Sequence, residues 1–190
     1  MSWFPKYQMK WYYHIIVQII DLIGNIIFWQ VHARQKPLDK SRIKRILIIR
    51  LDNIGDVLTT TPALRALRKG FPKAEIDILI RPATKDMLIN NPNIDNIITC
   101  DAAWLHRSGA VNLWKSIAFF TNNTLIQDLK TKQYDIVIEF HTDPRNILLA
   151  YLINGKRRIG HDVRGLGFLL TEVVRFRNDI HIIQRNLLIT

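Results

Sequence analysis

The stretch Asp52-Asn53-Ile54-Gly55-Asp56 places two carboxylates, an amide and a glycine directly after an apolar run. At the end of a strand such a turn can offer backbone N–H groups of the following helix to an anion or polar ligand, with Gly55 permitting a tight turn or a close backbone approach. Asp56 falls in that helix's first turn, where the helix dipole and nearby N–H groups favour an ionised carboxylate. A carboxylate so placed either complements the helix charge, as many first-turn acids do, or is available as a base at neutral pH. Gly55 stands alone. There is neither a G-x-G-x-x-G fingerprint nor a P-loop, so the dinucleotide and nucleoside-triphosphate readings lose their main support.

A second cluster, His141, Asp143 and Arg145, follows the apolar run 134 to 140. Arg145 suits a phosphate or carboxylate, and an ion pair between Asp143 and Arg145 is the plainer alternative. His161 and His181 are isolated and lack metal-ligand spacing, so no metal is expected. The single cysteine, Cys100, ends an apolar run and is expected to be a buried, inert thiol in a reducing compartment.

These residues need a scaffold, and the chain alternates strand and helix patterns from Arg45 onward. RILIIRL (45 to 51) reads as a strand buried on both faces of a parallel sheet. A helix from about Asp56 to Lys69 is stopped by Gly70 and Pro72. EIDILIR (75 to 81), a short helix over 84 to 90, DNIITC (95 to 100), a helical region over 111 to 130, YDIVIEF (134 to 140) and a helix over 144 to 153 continue the rhythm. The fold class expected is α/β, a Rossmann-like doubly wound parallel sheet with ligands at the carboxyl ends of the strands.

Residues 11 to 33 form a long apolar segment. At 100° per residue, His14, Gln18, Asp21, Asn25 and His32 share one face, with Lys10 beside them. The helix would be about 33 Å long, enough to span a bilayer, but spanning puts Asp21 near mid-membrane at about 2.5 to 3.5 kcal/mol. Lying in the interface avoids that cost: the polar stripe faces water while Trp3, Phe4, Trp11, Tyr12 and Trp29 settle at headgroup depth. Arg34, Lys36, Lys40, Arg42, Lys44 and Arg45 add attraction to anionic lipid. A true span and docking onto a partner or a further domain are the alternatives; a cleaved signal peptide lacks its cleavage site. Gln35 to Ser41, with Pro37, reads as a linker. Residues 1 to 44 are therefore assigned to an amphipathic membrane-associating helix and basic linker, and 45 to 190 to the Rossmann-like domain.

The string RLDNIGDVLTTTPALRALR (50 to 68) resembles the first strand, loop and helix of glycosyltransferase family 9, the heptosyltransferases of lipopolysaccharide core synthesis. FPKAEIDILIRP (71 to 82), NPNIDNII (91 to 98), YDIVIEFHTDPRN (134 to 146) and GKRRIGHD (155 to 162) extend the likeness over about residues 45 to 190. The resemblance implies the acceptor-side, N-terminal domain of a two-Rossmann GT-B enzyme, with the C-terminal donor domain absent and the chain inactive alone. It implies inverting transfer of a sugar such as heptose from a nucleotide-sugar such as ADP-heptose, a co-substrate, with no cofactor, to an acidic lipopolysaccharide inner-core glycolipid at the cytoplasmic face of the inner membrane. Asp56 takes the general base role by this likeness. Asn53, Gly55, Thr60, Thr61, His141, Asp143 and Arg145 become substrate-binding candidates, although Thr60 and Thr61 equally suit packing of helix on sheet.

The net charge of +11 draws the chain to polyanions, whether nucleic acid, an anionic leaflet or a phosphorylated glycolipid. No helix-turn-helix, RNP or zinc pattern accompanies it, and no nucleic-acid partner is expected. A non-catalytic membrane adaptor built on a Rossmann-like half is the other reading.

Overall fold

The computed structural model describes residues 11–33, 38–101, 119–121 and 123–190. Strands β1 (Arg45–Arg50), β2 (Glu75–Ile80), β3 (Asn96–Thr99), β4 (Ile136–Glu139), β5 (Arg157–Gly160) and β6 (Glu172–Val173) form one sheet in the order β3-β2-β1-β4-β5-β6. Every pairing is parallel. This is the doubly wound order in which the winding reverses between β1 and β4. The helices are α1 (Trp11–Ala33), α2 (Ile54–Gly70), α3 (Thr124–Thr131), α4 (Pro144–Leu152) and α5 (Ile182–Leu187).

Apolar side chains alternate between the two faces of the sheet. Ile46, Ile48, Ile76, Ile78 and Ile80 pack on one side against Val57, Leu64 and Leu67 of α2. Leu47, Ile49, Leu79 and Val137 pack on the other against Ile126 and Leu129 of α3 and Leu149 and Ala150 of α4. Each such side chain removed from water contributes about 1.5–3 kcal/mol, which is why a strand buried on both faces reads as a continuous apolar run.

The four expected strands are present with trimmed ends. The expected helix over 84 to 90 is instead a 3-10 segment, Pro82–Met87. Of the helical region expected over 111 to 130, residues 111 to 118 and 122 lie outside the described residues, as do Trp3, Phe4, Lys10, Arg34 and Lys36. Strands β5 and β6 and helix α5 were not anticipated. In β5, Arg158 is buried and donates to the carbonyls of Leu169 and Gly155, so a charged residue occupies a core position with its N–H groups matched. Cys100 is buried, and burial pushes its thiol up to about 12.

Helix α1 requires a correction. Its polar stripe does not face water throughout: Asp21 is buried, and its Oδ1 accepts the backbone N–H of Leu166 at 2.8 Å. The helix docks on this chain's own domain, against the 3-10 segment Gly167–Leu169, where Phe28 meets Phe168 and Tyr151 with ring centroids 5.5 and 5.8 Å apart. Gln18 and Asn25 remain exposed beside the seam. Among the described residues no helix is long and apolar enough to cross a membrane.

Candidate active site

Strands β1 and β4 are neighbours, and the helices that follow them leave to opposite faces of the sheet. Their carboxyl ends thus bound a crevice, the place where open α/β sheets bind ligands. β1 delivers Arg50, Leu51 and Asp52 to its edge; β4 delivers Glu139, Phe140 and His141.

Arg50 organises the β1 side. Its side chain is 3% exposed, and Nε and Nη2 donate to the main-chain carbonyl of Asp56 at 3.3 and 3.2 Å. Nη1 lies 3.3 Å from Asp52 Oδ2, and Nη2 lies 3.8 Å from Asp56 Oδ1. One guanidinium therefore ties the strand end to the first turn of α2. The Asp56 side chain is 37% exposed: it neither points into the hydrocarbon core nor is sealed from solvent. Arg185 of α5 comes from the far end of the chain and is coupled electrostatically to both Arg50 and Asp56. It stacks over Phe176 at 4.4 Å, while Asn186 holds α5 to α2 through the Thr59 carbonyl at 3.2 Å.

The β4 side is built on a buried carboxylate. Glu139 is fully buried and accepts the backbone N–H groups of His141 and Thr142 at 2.7 and 2.8 Å, with Asn146 Nδ2 at 3.3 Å. Burial lifts Glu139 to about 7, against the lowering effect of His141 and the N–H bonds. Its two main-chain bonds hold a turn in which Thr142 has φ 68°, an unfavourable conformation for a β-branched residue. That turn brings His141 Nδ1 against Asp52 Oδ1, so the two loops meet in a buried-acid and imidazole pair. Burial opposes charge on His141, but the bond and charge of Asp52, with Glu139 and Asp143, outweigh it and raise the imidazole above its ordinary value. The ring remains 38% exposed while its Nδ1 lies against Asp52.

The remaining candidates divide. Asn53 is exposed at the rim, where its Oδ1 accepts from Arg81 Nη1 at 3.3 Å. Gly55 has no positive φ, and a Cβ there would meet nothing within 4 Å, so the fold itself does not require a glycine; it leaves the first turn of α2 uncovered. Thr60 and Thr61 both direct their hydroxyls to backbone carbonyls of α2. Thr60 is fully buried with its hydroxyl on the Asp56 carbonyl at 2.9 Å. The Thr61 hydroxyl donates at 2.8 Å to the Leu58 carbonyl, which Pro62, having no N–H, leaves without its helical donor. Asp143 forms the ion pair given above as the plainer alternative: it is 4% exposed, caps α4 by accepting the Arg145 N–H, and grips the Arg145 guanidinium at 2.9 and 2.6 Å. Burial would raise Asp143, but Arg145 holds it below the ordinary carboxylate value. Arg145 keeps its place beside the crevice with its charge matched. Among the described residues no His, Cys, Asp and Glu cluster has the arrangement of a metal site.

Sequence reading missed Arg50, Glu139 and Arg185, and gave Asp52 no role of its own within the turn. Arg50 and Glu139 sit in apolar strands where a charge at a carboxyl end was a usable signal; Arg185 carries none, since only the fold brings residue 185 to residue 56.

No protein-family model matches the chain. It is 30% identical over 108 residues to lipopolysaccharide heptosyltransferase 3 of Escherichia coli, covering 57% of this chain and 29% of that protein. It is 27% identical over 126 residues to the lipopolysaccharide core heptosyltransferase OpsX of Haemophilus influenzae, covering 65% of this chain and 32% of that one. Among solved structures, a glycosyltransferase family 9 protein from Veillonella parvula superimposes with a TM-score of 0.63 at 30% identity, over 76% of this chain and 39% of that one. E. coli heptosyltransferase WaaC, solved with ADP, has the same fold over 76% of this chain and 45% of its own, with a TM-score of 0.60 at 19% identity. The chain thus spans about a third of the length of the curated relatives it matches. In sequence and in fold it is similar to glycosyltransferase family 9 proteins.

Proposed function

We propose that this chain is the acceptor-side part of an inverting glycosyltransferase of lipopolysaccharide core or related glycan biosynthesis. The observation that carries the reading is the Asp56 carboxylate, held by Arg50 at the β1–β4 crevice and open to solvent. An acceptor hydroxyl bound there gives its proton to Asp56 as its oxygen attacks the anomeric carbon of the donor. The bond from that carbon to the diphosphate breaks on the opposite face, and the nucleotide leaves with the electron pair. Arg50 and Arg185 set two positive charges near Asp56 that attract an acidic acceptor, and the part-exposed His141 lies across the crevice on the β4 side.

E. coli heptosyltransferase WaaC has been solved with ADP and with ADP-2-deoxy-2-fluoro heptose, so ADP-heptose is the donor we assign, heptose the sugar, and a lipopolysaccharide inner-core glycolipid the acceptor. Donor binding is assigned to the part of the relatives' length that this chain does not match. We assign the protein to the cytoplasmic face of the inner membrane, a reading that the basic segment 38–45 supports through its attraction to anionic lipid.

The test is Asp56→Asn in a protein carrying the full length of the relatives. We expect transfer to fall by about 10²- to 10⁴-fold with nucleotide-sugar affinity unchanged. Undiminished transfer, or function in cells without any transfer, would favour the non-catalytic adaptor.

A further inference from the structure

Helix α1 is fastened by a narrow seam. Val17, Asp21, Gly24 and Phe28, spaced 4, 3 and 4 residues apart, lie in one line along the helix. A Cβ on Gly24 would fall 2.4 Å from the Phe168 ring, so that ring lies directly on bare helix backbone. Gly165, at φ 99°, sits under Val17, where its own Cβ would fall 2.6 Å from Val17 Cγ1. Asp21 takes the Leu166 N–H, and Phe28 closes the seam against Phe168 and Tyr151. Contacts three turns long fix the direction of the helix as well as its position.

On the far side Ile16, Ile19, Leu22, Ile23, Ile26 and Ile27 are exposed by 51 to 68%. They cover roughly 140° of the helix surface opposite the seam. A contiguous apolar face of this kind is larger than soluble monomers normally leave in water. The chain around it is basic: Lys40, Arg42 and Lys44 follow the helix, Arg164 is exposed on the loop that receives it, and the net charge is +11.

The seam also orients the site. Val17 and Asp21 meet Gly165 and Leu166, in the loop after the carboxyl end of β5; Phe28 meets Tyr151, near the far end of α4. α1 therefore runs alongside α4, with its N-terminal turns on the Asp56 edge of the sheet.

We propose that α1 is a rigid mount whose Ile-rich outer face lies in the surface of an anionic lipid bilayer while its Val17–Asp21–Gly24–Phe28 seam holds the domain. A helix held flat against the domain cannot stand across the bilayer, so the crevice opens along the membrane surface. A sugar on a lipid anchor then reaches Asp56 without leaving the leaflet; that last clause rests on the function proposed above, whereas membrane binding does not.

The test uses the full chain with vesicles of phosphatidylcholine alone or with a third phosphatidylglycerol, read by co-sedimentation. Binding is expected only with the anionic vesicles, reduced about tenfold or more by Ile23→Asp with Ile26→Asp at unchanged far-UV circular dichroism. Gly24→Leu, which leaves the outer face intact, is expected to keep vesicle binding but to lose the hydrogen-exchange protection of residues 163–170. Undiminished binding by the double aspartate variant overturns the proposal. So does a chain that ignores anionic vesicles and forms a dimer that the same substitutions dissociate, since the face would then be a protein interface. Retained protection in Gly24→Leu overturns the seam. No readout depends on transfer activity, so an inert Asp56→Asn result would leave these outcomes untouched.

Discussion

Glu139 links stability to pH in a direction opposite to most carboxylates, and Glu139→Gln isolates the effect. The side chain is fully buried, and burial raises it from 4.5 to about 7. In the unfolded chain it titrates at its ordinary value. Between those two values the folded protein keeps a proton that the unfolded chain has lost, so raising the pH favours unfolding. The stabilisation is complete below pH 4.5 and is lost as the pH rises through about 7. The full difference is worth about 3 kcal/mol, of which about 2 kcal/mol falls between pH 5 and 6.5. That interval precedes most of the loss from His141, whose raised value makes its contribution vanish at higher pH. Asp95, Asp135 and Asp143, held low by their partners, give slopes of the other sign, but equally in both proteins. Glutamine keeps one acceptor for the His141 and Thr142 N–H groups and cannot ionise, so the variant starts less stable and loses the Glu139 slope. The assay is urea unfolding by far-UV circular dichroism at pH 5 and 6.5. The change in unfolding free energy between the two pH values should differ by about 2 kcal/mol, or roughly 4–8 °C in Tm. Equal changes in wild type and variant would refute the assignment of a neutral buried acid beneath His141.

Two further outcomes are expected. Asp52→Asn removes the main group that raises His141, so the imidazole should titrate at lower pH by proton NMR of its ring; an unchanged midpoint would show that the pair does not form. Tyr134→Phe removes the hydroxyl that donates to buried Asp77 at 2.6 Å, leaving Lys132 and Asn96 to hold that carboxylate. A loss of about 1–3 kcal/mol in urea unfolding is expected, and no loss would mean the hydroxyl is dispensable.

The parallel sheet was legible because β1 and β4 are near-continuous apolar runs and β2 is interrupted only by Asp77, and burial on both faces suits such runs. The turn from Asp52 to Asp56 was legible for the same reason, since it begins where that run stops. Strand β5 was not: Arg157 and Arg158 break the apolar pattern, and only the carbonyls of Gly155 and Leu169 make a buried guanidinium tolerable there.

Side-chain direction lay beyond the sequence. Helical spacing put Asp21 on a polar stripe, but periodicity cannot distinguish a face wetted by solvent from one that meets a backbone N–H of residue 166. Thr60, Thr61 and Asp143 carry polar groups next to the crevice, yet each turns its oxygen to backbone or a neighbour within five residues. The reverse holds for Arg50, Asp52, Asp56, His141 and Arg185, which come from separate stretches and gain meaning by meeting. Local sequence determines where the strands run and which turn follows the first of them, because hydrophobic burial acts on nearest patterns. Which charges share that turn is decided by tertiary structure, because Coulomb forces and hydrogen bonds act over a few ångströms of space whatever the distance along the chain.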